Sequence, residues 1–425
     1  MRKQILFIVI MAVSTAGGFA LSLEQAVALA LENNISIKRE QISFEAAKRT
    51  SAHAWNTLLP SLSLSANDEM SSENDFQNNF GVEGRVSVSV SSDYFASIQK
   101  AKADFETTKI SYDQAVSEII SQVKEAYFSL LYEKENLKYL RESLENAKSQ
   151  AEQNEERFKR GTLSELEYLS SKVAWEKLKP ELKAQELSYQ NNLKSFCLIL
   201  GLDEKEDSNS FIPEGSLENF ISRYTAYFDE SMKTSISEDV SQGNIPSVQN
   251  LKNQLVSAQK EVSKTKLSVW GPALNLSYSV IPIITGGEKS RVKQSASIGL
   301  SLPLENYLPF SQGADSVKAA KDSVNDIQLQ LEEKKKNTKM EFSSISKALE
   351  QKGESISSFQ NYVKLAGQTY EAAKESYAKG TMELLSMQNA AKENLEAKLY
   401  LQNEFLETLK LYISLEKLCG KNAAL

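Results

Sequence analysis

The sequence predicts a mainly α-helical chain that is internally duplicated and carries a smaller β-sheet contribution. Three observations lead to this fold class. Glycine and proline are sparse, at 17 and 8 of 425 residues, which favours long helices over several independent globular domains. The same short motifs occur twice in the same order along the chain. In each half, a segment with alternating apolar and small polar residues interrupts the helical pattern.

The duplication is carried by landmarks that pair across the two halves of the chain. Chance similarity between helical segments explains one such match but not an ordered set, so two structural repeats are expected. The pairs lie 210 to 219 positions apart: Asn34 with Asn244, Pro60 with Pro272, Gly161 with Gly380, and Gly201 with Gly420.

The N-terminus predicts a cleavable signal peptide over residues 1–20. Arg2 and Lys3 precede an apolar run, which closes on the small-residue pattern Gly18-Phe19-Ala20. The mature chain is expected to begin near Leu21. No later apolar run is long enough for a transmembrane helix, so any membrane span must be built from strands.

The remaining chain is expected to divide into two repeats, 21–201 and 244–420, around an inter-repeat equatorial segment, with a short C-terminal tail. Each repeat should contain a helix, a β-hairpin and an antiparallel helical hairpin, which gives four strands per protomer. The predicted boundaries are 202–243 for the equatorial segment, about 60–92 and 272–304 for the β-hairpins, about 96–200 and 311–420 for the helical hairpins with turns at 160–162 and 379–381, and 421–425 for the tail.

The helical hairpins carry a coiled-coil signal. Residues 96–158 contain no Pro or Gly, and their apolar residues recur about every 3.5 positions, with Glu133 and Asn154 as polar interruptions. Gly161 should end this helix, and Thr162 is the expected N-cap of the next one, with Glu165 at the capping-box position. The leading helix of each repeat is expected over 22–57 and 247–269, stopping before a proline.

The predicted strands alternate apolar residues with serine or asparagine. This pattern fits an ordinary half-buried sheet, but it also fits a sheet with one face in lipid and one in water. Four strands cannot close into a membrane barrel, whereas three chains would supply twelve; two or four chains remain arithmetically possible. The aromatic residues expected at a membrane boundary are few on or near these strands: Phe80, Tyr278 and Tyr307.

These features resemble the TolC-like outer-membrane efflux and secretion channels over essentially the whole mature chain. The resemblance rests on the motifs at Leu23–Asn34 and Leu59–Leu62, on the duplicated Gly-Thr turns, and on Leu200-Gly201. It implies a homotrimer with a twelve-stranded β-barrel in outer-membrane lipid and an α-helical tunnel in the periplasm. It also implies docking to a periplasmic adaptor (membrane fusion) protein and to an inner-membrane pump, for passive export of substrates.

The same resemblance indicates candidate site residues at the periplasmic entrance. Adaptor contact would fall on the two helical turns, which are Arg160, Gly161, Thr162, Lys379, Gly380 and Thr381. Acidic residues that help to close and select at the entrance would align with Glu167 in the first repeat and with Ser386 and Asn389 in the second. Since the second pair is not acidic, only Glu167 could form a charged ring; a solvated surface glutamate is the alternative.

Other function classes find little support in the sequence. The 56 acidic and 49 basic residues are mixed along the chain, so no basic stripe indicates nucleic-acid binding. His53 is the only histidine, which argues against a hydrolase, a metal site or a cofactor site. Cys197 and Cys419 are interpreted as small buried hydrophobes, with a disulfide as the alternative. A periplasmic coiled-coil scaffold or adaptor without a pore is the second functional interpretation.

Overall fold

The computed structural model describes residues 19–70, 78–202, 211–285 and 291–421. Most of the predicted signal peptide, the centres of both β-hairpin loops and the end of the tail lie outside the described residues. The helices are α1 Leu23–Asn33, α2 Ile35–Ala52, α3 Tyr94–Lys159, α4 Glu165–Leu200, α5 Leu217–Tyr227, α6 Glu230–Gln242, α7 Pro246–Trp270, α8 Gln312–Ala378 and α9 Leu384–Cys419. The strands are β1 Phe19–Leu21, β2 Ser61–Met70, β3 Asn78–Ser91, β4 Phe211–Pro213, β5 Ala273–Thr285 and β6 Arg291–Ser301.

The chain divides into two compact units. The helical unit comprises the chain up to Arg39, Gln114–Ile245 and the chain from Asn337 onward; the sheet unit comprises Glu40–Asp113 and Pro246–Lys336. The fold class is confirmed at the level of the single chain, because each half contains one β-hairpin and one long helical hairpin. No helix within the described ranges is long and apolar enough to cross a membrane.

Antiparallel pairing of α3 with α4 and of α8 with α9 is fixed by polar contacts along each seam. Glu133 on α3 accepts hydrogen bonds from Asn192 and Ser188 on α4, at 2.6 and 3.3 Å. In the second hairpin, Lys352 on α8 lies 2.9 Å from Glu404 on α9. The polar interruption predicted at Glu133 therefore faces a partner helix rather than water.

The leading segment is not one helix over 22–57, as predicted, but α1 and α2 separated at Asn34, followed by a 3-10 helix over Ala54–Leu58. Asn34 causes the break, because its Oδ1 accepts from the backbone N–H of Ser36 at 2.8 Å and so caps α2. Its Nδ2 donates to the carbonyl of Ile199 at 2.8 Å. One side chain thus joins the start of α2 to the end of α4.

The end of α4 also explains the Leu-Gly motif of the first repeat. Gly201 caps α4 with φ of 75°, and a Cβ at this position would lie 2.6 Å from the Asn33 carbonyl group. Both the left-handed backbone and the close approach of α1 therefore require glycine. Cys197, one turn earlier, is free and buried, as is Cys419 near the end of α9.

The equatorial segment forms α5 and α6, which pack on α9. Tyr224 of α5 connects the segment to a buried ion pair, in which Lys124 of α3 lies 2.8 Å from Glu416 of α9, by donating to the Glu416 carboxylate at 3.2 Å. Burial and the neighbouring Glu416 charge raise the pKa of Tyr224. A buried pair of this kind fixes how the segment docks, because removing one partner would leave the other charge unpaired.

In the sheet unit, four strands form one antiparallel sheet in the order β2-β3-β5-β6. The two β-hairpins are joined side by side through β3 and β5, with Ser87 opposite Ser277 and Val88 opposite Leu276. β2 and β6 are the outer strands of the described sheet. Between β3 and β5 the same register places Ser89 opposite Asn275 and Val90 opposite Leu274.

Candidate functional site

The two predicted helical turns have the same backbone geometry. Gly161 and Gly380 adopt φ of 73° and 74°, and each N–H donates to the carbonyl three residues earlier. A Cβ on either glycine would meet nothing within 4 Å, so only the left-handed backbone requires glycine here. The duplication predicted from the sequence thus extends to the hydrogen bonds of the turns.

The threonine of each turn closes the preceding helix instead of starting the next one. Thr162 donates from its N–H and its hydroxyl to the carbonyl of Arg157, at 2.9 Å each, and Thr381 does the same to Ser376 at 3.0 Å. The predicted Thr162 N-cap with Glu165 is therefore wrong. The N-cap is Ser164, since the left-handed glycine frees the last carbonyls of α3 and the threonine satisfies one of them.

The basic residues of the turns are exposed and paired along their own helices. Arg160 lies 2.8 Å from Glu156, and Lys379 lies 2.6 Å from Glu375, so each cation is held by a carboxylate one turn earlier. Exposed pairs of this type contribute roughly 0–1 kcal/mol to stability. They leave the cationic side chains at the surface of the turns, where a partner could reach them.

Glu167, the acidic entrance candidate, has a structural contact of its own. Its carboxylate accepts from the Ser164 hydroxyl at 2.9 Å and completes the capping box of α4. Burial is the main cause that raises the pKa of Tyr377 on α8, and the Glu167 charge adds to it. Ser386 and Asn389 are exposed on the first turns of α9.

Tyr377 links the two helical hairpins beside the turns. Its hydroxyl donates to Oδ1 of Asn154 on α3 at 2.9 Å, and the Arg157 guanidinium lies 5.5 Å from its ring centroid. The ring is buried in a small core with Leu384 and Met387. Asn154 is fully buried, so the bond lies out of water, where a polar contact between helices is most specific.

Sequence reasoning identified Asn154 as a polar interruption but missed its partner. Tyr377 occupies the position that Phe158 holds in the first repeat, at the offset of 219 shared by the turns. The ring is shared, and the hydroxyl is the difference between the repeats. Comparing the two repeats at this position would have singled out the Tyr377 hydroxyl as a group in need of a partner.

In the sheet unit, one face of the sheet is covered by serine hydroxyls. Cross-strand pairs join neighbouring strands: Ser61 with Ser87 at 2.6 Å, Ser277 with Ser297 at 2.7 Å, Ser279 with Ser295 at 2.8 Å, and Ser89 with Asn275 at 2.8 Å. The register aligns Ser61, Ser87, Ser277 and Ser297 in one row across all four strands. This face is uncharged along that row and suited to contact with water.

The opposite face of the same sheet is apolar and exposed. Leu62 and Ile298 are each 79% exposed on the two outer strands, and on the inner strands of the same face Val86 lies opposite Leu62 and Leu276 opposite Ile298. A soluble protein rarely leaves such a contiguous patch in water. The outer strands β2 and β6 also leave one row of backbone N–H and C=O groups unpaired within the described sheet.

Comparisons with known proteins agree with these features. Residues 26–202 match the model of the outer membrane efflux protein family. The fold is similar to the CmeC outer membrane channel of Campylobacter jejuni, with a TM-score of 0.76, 19% identity, and coverage of 94% of this chain and 85% of that one. It is also similar to the outer membrane protein VceC of Vibrio cholerae, with a TM-score of 0.76, 15% identity, and coverage of 94% and 96%.

A third similar structure is the MtrE outer membrane channel of Neisseria gonorrhoeae, with a TM-score of 0.73, 15% identity, and coverage of 94% of this chain and 88% of that one. No curated protein sequence matches the chain. The matched family is one of channel proteins, which agrees with the expectation of a chain without enzymatic activity. The first repeat thus has the sequence signature of the outer membrane efflux proteins and nearly the whole chain has their fold, which confirms the resemblance to the TolC-like outer-membrane channels.

Proposed function

We propose that this protein is the outer-membrane exit duct of a tripartite efflux or type I secretion system. Three copies would close a twelve-stranded barrel in the outer membrane, and their helical hairpins would form a tunnel in the periplasm. Substrates would pass passively from an inner-membrane pump and a periplasmic adaptor to the exterior. The number three follows from the resemblance to the TolC-like channels.

The observation that carries the proposal is the four-stranded sheet with one apolar face, one serine face and two open edges. In lipid, unpaired backbone groups on β2 and β6 would each cost several kcal/mol, so the edges must pair with other copies. After closure, the apolar face would contact lipid and the hydroxyls would line a wet lumen. A pore-free periplasmic scaffold gives no reason for an exposed apolar sheet face.

The turns are the proposed contacts for the adaptor. Arg160 and Lys379 occupy equivalent positions on the two hairpins and are exposed beside turns of identical geometry. A trimer would therefore present six similar tips. An adaptor that recognises one tip could recognise all six, with acidic or carbonyl groups facing the basic side chains.

Opening of the entrance would require the two hairpins of one copy to separate. The Tyr377 bond to Asn154 and the contact of Arg157 with the Tyr377 ring oppose that separation. Glu167 would lie at the entrance, where three copies could form a ring that favours cations. Adaptor binding at the tips would act on the ends of the same helices.

Conductance of the purified mature protein in a planar lipid bilayer tests this function. Discrete, uniform channel events are expected, because a closed barrel has a fixed pore. Protein that is extracted from membranes with detergent but never conducts, under conditions where a known channel does, would refute the duct and favour the scaffold.

A further inference from the structure

The two repeats differ where the last strand of each β-hairpin joins its long helix. Two residues, Ser92 and Asp93, connect β3 to α3, whereas ten residues, 302–311, connect β6 to α8. The offset between the repeats is 210 at the strand ends and 218 at the helix starts, so the second repeat carries eight extra residues at this point. The duplicated architecture does not require them.

The connector 302–311 turns its polar groups inward and is held in place by them. The carbonyl of Asn306 accepts from Nε1 of Trp270 at 2.9 Å, and Nδ2 of Asn306 donates to the carbonyl of Val269 at 3.0 Å. The hydroxyl of Tyr307 donates to the carbonyl of Trp270 at 2.6 Å. These bonds fix the connector against the end of α7.

The apolar side chains of the connector, in contrast, lie at the surface and take no part in these hydrogen bonds. Leu304, Leu308 and Phe310 are exposed, Phe310 at 94%, and Glu305 is the single charged residue of the segment. This is the reverse of an ordinary surface loop, whose exposed side chains are mostly polar. A connector with fixed backbone and exposed leucine and phenylalanine side chains is built to contact an apolar environment.

Exposed apolar side chains continue from the last strand of the sheet into the connector. Ile298 and Leu300 on β6 are exposed on the apolar face of the sheet, and Leu302 and Leu304 follow at the same two-residue spacing. Tyr307, with its apolar ring and polar tip, is typical of the boundary between lipid and water. Continuity with the proposed lipid-facing surface is what favours lipid over a protein partner.

We infer that the connector 302–311 is an interfacial membrane anchor, which inserts Leu304, Leu308 and Phe310 into the headgroup and upper acyl region at the end of the sheet where the strands meet the helices. The inference rests on the proposed membrane-inserted sheet. Each copy would contribute one anchor, so the closed assembly would carry one anchor at every second strand-to-helix junction. The anchors would fix the depth of the sheet in the bilayer.

Spin labels on single introduced cysteines test this inference in the full chain. The background carries Cys197→Ala and Cys419→Ala, and Phe310→Cys reports on the connector. Leu300→Cys reports on the sheet face, and Lys183→Cys, on an exposed part of α4, serves as the aqueous control. The labelled proteins are reconstituted in vesicles of phosphatidylethanolamine and phosphatidylglycerol, and collision rates with oxygen and with a water-soluble nickel complex are compared.

The ratio of oxygen to nickel collisions at position 310 is expected to be several-fold higher than at position 183 and lower than at position 300. A lipid-like ratio at 300 with a water-like ratio at 310 would overturn the anchor and leave the duct intact. A label at 310 that is immobile and shielded from both reagents would assign the connector to contact with another copy. A water-like ratio at 300 would overturn both the duct and the anchor.

Discussion

At the scale of single residues, Glu167 combines a local structural contact with a proposed role at the entrance. Its carboxylate completes the capping box with Ser164, so removal of the whole side chain would mix loss of charge with loss of helix capping. Gln also satisfies the capping-box pattern, which makes Glu167→Gln the informative change. Any effect of that variant on permeation then reports the charge.

Glu167→Gln is expected to lower the preference for cations over anions at low ionic strength, because three carboxylates would leave the proposed ring. Reversal potentials across a salt gradient measure this preference. Glu165→Gln, which removes an exposed charge from the same first turn of α4, is the matched control and should change it less. Equal selectivity in both variants and the unmodified protein would remove Glu167 from the entrance.

Gly201 and Gly161 separate the two reasons for which a helix end requires glycine. Both have φ near 75°, so alanine costs about 1–2 kcal/mol at either position from backbone strain alone. Only at Gly201 would the added Cβ also meet the Asn33 carbonyl at 2.6 Å. Gly201→Ala should therefore lower the thermal unfolding temperature clearly more than Gly161→Ala. Equal shifts would show that the junction of α1 and α4 is more compliant than its geometry indicates.

At the scale of the secondary-structure elements, the seam between α3 and α4 contains two glutamates with opposite pH behaviour. Burial raises the pKa of Glu133, whereas the Arg141 guanidinium lowers the pKa of Glu186. For Glu133, the contribution to stability is complete below the unfolded pKa of about 4.3 and is lost as pH rises through the higher folded value. For Glu186, the contribution is present above the unfolded pKa and is lost as pH falls.

Glu133→Gln should consequently raise the unfolding temperature at pH 7, with a gain that shrinks as pH approaches 4. The amide can keep the bonds from Ser188 and Asn192 while removing a buried charge. Glu186→Gln, at an exposed ion pair, should have a small effect of the opposite sign. Unfolding curves followed by circular dichroism from pH 4 to 7 measure both, and a loss of stability in Glu133→Gln at pH 7 would show that the carboxylate stabilises the contact of α3 with α4 more than an amide does.

The contact between the two helical hairpins gives a second element-scale prediction. Tyr377→Phe keeps the buried ring and removes the hydrogen bond to Asn154, which is worth about 1 kcal/mol. If that bond holds the entrance closed, the ratio of open to closed time should rise about fivefold. Tyr168→Phe is the control, because Tyr168 stacks on Phe158 within the first hairpin. Single-channel recordings measure this ratio. An unchanged ratio in Tyr377→Phe would show that the bond does not hold the entrance closed.

The elements themselves were largely predictable from the sequence, because a heptad pattern and a two-residue alternation each report on local geometry. The exact start of α4 was not, since Thr162 and Ser164 are both competent N-caps and only the hydrogen bond of Thr162 to Arg157 decides between them. The break at Asn34 was missed for a different reason. The capping bond to Ser36 is local, but the other bond of the Asn34 side chain goes to a carbonyl 165 residues away in sequence, and no local pattern indicates such a partner.

The same distinction holds at the proposed entrance and elsewhere in the helical unit. The Gly-Thr turns were predictable because a left-handed glycine ends a helix wherever it occurs. The Tyr377 contact with Asn154 joins residues 223 positions apart, and the ion pair of Lys124 with Glu416 joins residues 292 apart. A single sequence marks such residues only as polar interruptions or as differences between repeats.

At the scale of the whole molecule, the proposed membrane barrel requires more than one chain. Four strands supply half of the smallest membrane barrel, and the outer strands β2 and β6 have no partner within the described sheet. The central claim is therefore that β2 of one copy pairs with β6 of the next until the sheet closes. Three copies give twelve strands, and the serine rows would then continue around the lumen.

Native mass spectrometry of the detergent-extracted mature protein tests this claim most directly, because it counts the chains in one particle. The account predicts a single dominant species of three chains that persists on dilution. A single chain under the same conditions would contradict the closed sheet, while a particle of two or four chains would keep the closure and overturn the twelve-stranded barrel.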